Sequence, residues 1–142
     1  MNNQSRISTF WESIDRERLG VPLVEFVENI QKIGISKTRA AEIFKIPRSK
    51  LMQRPSEGVM LVKIHALAAI RLEKLMMQAE DIVLNSLHPS AKDFDAGRWL
   101  GEWIEIPQPA LAGLKPSDHL DTVAGGERVH QVLGAIESGA YL

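Results

Sequence analysis

The strongest constraint on this chain is the stretch from Val59 to about Leu84. Leu61, Ile64, Leu67, Ala68, Leu72, Leu75, Met76, Ala79, Ile82 and Val83 return there at the spacing of one helix face. Arg71, Glu73, Lys74, Gln78 and Glu80 fill the other side. At about 1.5 Å per residue such a helix spans about 40 Å, enough to join two small subdomains. No segment shows the strict alternation of a half-buried strand, so the expected fold is all-α.

Shorter elements flank that helix. Pro22 is suited to a helix start, because its missing N–H has no partner there in any case, and Gly34 stops the run of Leu23, Phe26, Val27, Ile30 and Ile33. Ser36 is an N-cap for a short helix with Ala40, Ala41, Ile43 and Phe44 on its inner side. Ile46-Pro47 breaks that helix, and a second short one starts at Arg48 or Ser49 and runs past Leu51 to Gln53. Three further helices are expected after His88-Pro89-Ser90, over Ala91–Ile104, Lys115 to about Leu120, and Ala124–Ser138. A rigid loop, Pro107–Pro116, lies between the first two, with leucines placed to plug inward. The organisation predicted is an arm over residues 1–20 with one helical turn, a unit over 21–86, and a C-terminal unit over 87–142.

Composition excludes several functions. With no cysteine, the 142 residues hold neither disulfide, thiolate metal site nor cysteine nucleophile. No apolar run approaches the roughly 20 residues of a membrane helix, and the N-terminal residues lack a signal-peptide pattern. A soluble cytoplasmic protein is expected. No metalloprotease, phosphate-loop or nucleophile-elbow motif is present, so no enzyme and no cofactor are predicted. His65, His88, His119 and His130 are scattered. Only His119 stands near acids, Asp118 and Asp121, and neighbouring residues on a helix point apart, so no metal site is assigned.

The near-neutral total charge conceals an asymmetry. From Gln31 to Arg54 seven bases face Glu42 alone, a net +6, whereas Ala91 to Leu142 holds four bases and eight acids, a net −4. A basic front half points to a polyanion, and the acidic rear to something else.

The basic block also has the organisation of a helix-turn-helix. Ala41 supplies the small residue where two helices approach, and Phe44, Ile46 and Leu51 the apolar residues around the turn. Arg48, Ser49, Met52 and Gln53 are the candidates to face a major groove, Arg being matched to guanine and Gln to adenine. Lys37, Thr38, Lys50 and Arg54 are assigned to phosphates, which add affinity without sequence information. Lys45 stands at the turn position usually held by glycine, which requires a left-handed residue or a different turn.

The rear half carries a second ordered pattern: Trp99-Leu100, Pro107-Gln108-Pro109-Ala110-Leu111, Gly113 and Pro116, then Leu120, Asp121, Thr122, Gly125-Gly126, Val129, Leu133, Ile136 and Gly139-Ala140-Tyr141. This resembles the C-terminal toxin-binding domain of Xre/MbcA/ParS-type antitoxins, with Ala112 in place of the first loop glycine and His119 where an apolar residue or an acid is common. With the preceding helix-turn-helix and long helix, the resemblance covers roughly residues 30–142. It implies an antitoxin of a RES–Xre module: a dimer that covers the NAD-binding cleft of a RES-type toxin and represses its own promoter at operator DNA. Glu137, Gly139, Tyr141 and Leu142 are the candidate toxin-binding residues. A flexible joint there leads to an aromatic and a leucine, which fill either a partner's cleft or their own domain. Trp99 and Trp103, four residues apart, share a helix face, with Trp99 assigned to the core. The alternative to an antitoxin is a stand-alone transcriptional regulator whose rear half only dimerises.

Overall fold

A computed structural model describes residues 14–54, 58–86 and 93–137. It is an all-α fold with one minimal two-stranded sheet. The helices are α1 (residues 14–19), α2 (Leu23–Ile33), α3 (Lys37–Phe44), α4 (Arg48–Leu51), α5 (Ile64–Leu84), α6 (Ala96–Trp103) and α7 (Val123–Glu137). Two 3-10 turns, Pro109–Leu111 and Pro116–His119, lie between α6 and α7.

The long helix is shorter at its start than its periodicity suggests. Met60–Leu61 forms a strand, β2, antiparallel to β1 (Val21–Pro22), with Val21 opposite Leu61. The carbonyl of Val59 accepts from the Leu23 N–H at 2.9 Å, so this backbone is committed to pairing rather than to the helix. A two-residue strand leaves no alternation to read, which is why the apolar residues Val59 and Leu61 looked helical.

α5 occupies the centre. Ala66, Ala68, Ala69, Ile70, Leu72, Leu75, Met76 and Ala79 are buried, so much more than a single stripe is covered. Its small residues let α6 and α7 pack closely on it. α2 contributes Leu23, Phe26, Val27, Ile30 and Ile33, and the Phe26 ring meets Phe44 of α3 edge to face at 5.6 Å. Gly34 closes α2 in the left-handed conformation, with its N–H and that of Ile35 donated back to Gln31 and Ile30.

Front and rear share this core. α6 begins at Ala96, later than expected, because the Asp95 carboxylate accepts the Arg98 N–H and sets the cap. It then lies across the end of α2, where a side chain at Gly101 would overlap the Ile33 carbonyl oxygen. α1 is tied down as well: Arg16 donates to Glu73 of α5, and at 2.9 Å to Glu25 of α2. Those carboxylates raise its pKa above the ordinary arginine value, the bond to Glu73 contributing most.

Candidate functional site

Two surfaces carry chemistry. The first is the corner formed by α3, a three-residue turn and α4. Ser36 caps α3 as expected, its hydroxyl accepting the Arg39 N–H at 3.0 Å. Lys45 takes the left-handed conformation, φ 54° and ψ 41°, so the turn forms at that position without its usual glycine. Left-handed geometry costs a non-glycine residue about 1–2 kcal/mol, which the burial of Phe44, Ile46 and Leu51 on either side offsets. The small buried residue of the corner is Ala40; Ala41 is only partly covered.

α4 is a single turn. It carries Arg48, Ser49 and Lys50, with Gln53 and Arg54 just beyond its end, while Lys37 and Thr38 open α3. Thr38, Arg48, Ser49, Gln53 and Arg54 are exposed, and Lys37 and Lys50 are half-buried. All seven sequence-assigned residues therefore lie on the two short helices or directly after them. Met52 is also exposed.

Arg39 leaves this basic set. Its guanidinium donates to Glu42 at 3.0 Å and to both carboxylate oxygens of Glu105 at 3.0 Å, and approaches the Ser117 hydroxyl at 3.4 Å. Lys115 also stands 3.6 Å from Glu105. Partial burial pulls the Arg39 pKa down, but the two carboxylates more than compensate and it is raised overall. Sequence counting treated Arg39 as a free cation, because Glu105 lies 66 residues away and nothing local announces the pair.

The second surface is the segment from α6 to the end of α7. Trp103 is buried, and Trp99 stacks on it from a partly exposed position at 6.0 Å and 19°. Trp99 packs on the core as expected, though only in part, while Trp103 and Leu100 are buried. In the loop, Leu111 plugs inward, whereas Leu114 is half exposed. Gln108 organises the turn, its carbonyl accepting from Leu111 and Gly113 and its N–H donating to Leu114, each at 3.0 Å. Ala112 has φ 56° and Gly113 φ 81°, so this loop, like the front corner, runs through left-handed residues.

Asp118 is consumed in capping the second 3-10 turn, its carboxylate accepting the Lys115 N–H at 3.1 Å. No group of three metal-ligating side chains is gathered among the described residues. Thr122 accepts the Gly125 N–H and starts α7, while Gly125 passes so close to the His119 carbonyl that a side chain would overlap it. Exposed apolar side chains on this half include Phe94, Ile106 and Val123. Of the tail candidates, only the backbone of Glu137 is described, at the end of α7; its side chain, Gly139, Tyr141 and Leu142 lie outside the described residues.

The family match falls on the second surface. Residues 94–139 match the antitoxin Xre/MbcA/ParS C-terminal toxin-binding domain. The chain is similar to the Prs ADP-ribosylating antitoxin of Sphingobium sp. (strain YBL2), 44% identical over 70 residues, which cover 49% of this chain and 43% of that relative. The chain thus spans less than half the length of the curated relative it matches. Together the two matches support an Xre/MbcA/ParS-type antitoxin. No described helix is long and apolar enough to cross a membrane.

Proposed function

We propose that this protein is the cytoplasmic, non-enzymatic antitoxin of a type II toxin–antitoxin pair, which neutralises an NAD-consuming RES-type toxin and represses its own operon. The observation that carries this reading is the match of residues 94–139 to a toxin-binding domain. The name of the Sphingobium relative favours a toxin that transfers ADP-ribose to a protein over one that only depletes NAD. Either toxin presents an NAD cleft, and Glu137, Gly139, Tyr141 and Leu142, at and after the last residue of α7 in the sequence, are the residues proposed to enter it. Burial of an aromatic or a leucine in such a cleft contributes about 1.5–3 kcal/mol.

Repression is supported by the exposed polar and basic residues of the α3–α4 corner. As a helix-turn-helix, it sets Arg48 and Gln53 against base edges and Lys37, Lys50 and Arg54 against phosphates. A homodimer matches a palindromic operator.

The test is co-expression with the toxin encoded by the adjacent gene, reading growth, cellular NAD and ADP-ribosylated protein. Full-length antitoxin restores growth. A chain lacking Gly139–Leu142 should neutralise poorly while its free form melts at the temperature of the full-length chain. Full protection by that truncation assigns inhibition to the α6–α7 surface instead. Growth arrest that persists with the full-length chain removes the antitoxin reading and leaves the stand-alone regulator.

A further inference from the structure

Three arginines of this fold have perturbed surroundings, and one differs from the others. Arg16 and Arg39 each donate to two carboxylates. Arg71, on α5, donates from Nη1 to the backbone carbonyl of Leu120 at 2.9 Å, and no described carboxylate is hydrogen-bonded to it. Burial lowers its pKa, and only the longer-range attraction of Asp121 opposes that. A guanidinium has five N–H donors in a planar fork, and taking them from water without an anion is unfavourable.

Arg71 lines a groove of about 370 Å³ between α5 and α7, walled by apolar Ile70, Leu75 and Val123 and joined by exposed Lys74. The opposite wall is built to make room for it. A side chain at Gly126 of α7 would overlap the Arg71 stem.

We infer that this groove receives a carboxylate side chain of the partner toxin, with Arg71 as its charge-assisted donor. The inference rests on the antitoxin reading and adds a contact to it, since α7 belongs to the segment that matches a toxin-binding domain. A carboxylate offers two oxygens to the guanidinium fork, and such paired bonds are the stronger class. The source is a protein rather than a free anion because exposed Glu17 and Glu127 stand in the groove lining and oppose entry of small anions. An acidic side chain held in place by the rest of an interface has the high effective concentration needed to overcome them.

Calorimetric titration of the cognate toxin with the wild-type chain, Arg71→Met and Lys74→Glu tests this. Arg71→Met should raise Kd about 10- to 100-fold, the loss typical of a hydrogen bond to a charged group. Lys74→Glu, on an exposed side chain that leaves the fold intact, should raise Kd by about 3- to 10-fold, more at low salt. Thermal melting of each free variant separates recognition from folding, and Lys74→Glu decides if Arg71→Met is unstable. Wild-type binding matched by both variants overturns this inference alone, whereas no binding by the wild-type chain overturns it together with the antitoxin reading. Protection of the free chain by inorganic phosphate, dependent on Arg71 and without change in toxin affinity, would reassign the site to free anions. A self-association lost in Arg71→Met at unchanged toxin affinity would reassign it to a second copy.

Discussion

The α3–α4 corner and the loop from Ile104 to Leu120 meet the same problem in different ways. Each reverses the chain through a non-glycine left-handed residue, Lys45 at φ 54° and Ala112 at φ 56°. The corner is held mainly by apolar side chains, with Ile46 and Leu51 buried and Thr38, Arg48, Ser49, Gln53 and Arg54 exposed. The loop is held mainly by its own backbone, since Gln108, Leu111, Gly113 and Leu114 bond to one another and Ser117 donates to the Ile104 carbonyl at 2.8 Å. A corner fixed by burial can vary its exposed side chains freely, which suits a surface that reads a polyanion. A loop fixed by backbone bonds holds a shape, which suits a surface that docks a protein.

The two regions are nonetheless locked together, and the largest expected effect breaks that lock. Gly101→Ala forces a methyl group into the Ile33 carbonyl at the end of α2. It should cost about 1–3 kcal/mol, the range for overpacking a well-filled core. Because α6 and α2 belong to one core, chemical denaturation should show front and rear losing stability in a single transition. A variant in which only the rear melts early would show two separable units.

Effects confined to one surface separate the regions. Arg48→Ala should cost about 1–3 kcal/mol in operator binding and relax sequence preference, while Lys37→Ala should weaken all sequences alike and flatten the salt dependence by about one unit. Anisotropy titrations at two salt concentrations distinguish these, and toxin affinity should not change in either variant. Absence of sequence preference in the wild-type chain would end the repressor reading and leave the antitoxin one standing.

The finest comparison is between the two left-handed residues. Ala112→Gly relieves the backbone and should stabilise the protein by about 0.5–1 kcal/mol, part of the gain being lost to a freer unfolded chain. Lys45→Gly should give a similar rise in melting temperature. It should also lower operator affinity slightly, by one released counterion at most. Equal DNA binding by Lys45→Gly and the wild type would confine Lys45 to the turn.

Much of this was legible in the linear chain. The helical class, the Gly34 stop, the Ser36 cap and the α7 span follow from spacing and from residues that satisfy or deny backbone bonds within a few positions. The rear pattern pointed to the toxin-binding domain because Pro, Gly and Thr at fixed intervals encode local backbone geometry. Of the two leucines of the rigid loop expected to plug inward, Leu111 does so and Leu114 is half exposed.

Tertiary structure decided whatever depended on distant partners. β1 pairs with β2 across 37 intervening residues and is too short to leave a pattern. Trp103 is buried and Trp99 only in part, on a helix that Gly101 lets lie against α2. Arg16, Arg39 and Arg71 carry the same charge on paper, yet two are matched by carboxylates and the third lies in a groove beside a glycine. Local geometry is written in neighbouring residues, whereas the state of a charge depends on which chain segments burial brings beside it. For this protein the sequence determined the helices and the pattern of the toxin-binding domain, and only the fold decided which of these three arginines has no hydrogen-bonded carboxylate among the described residues.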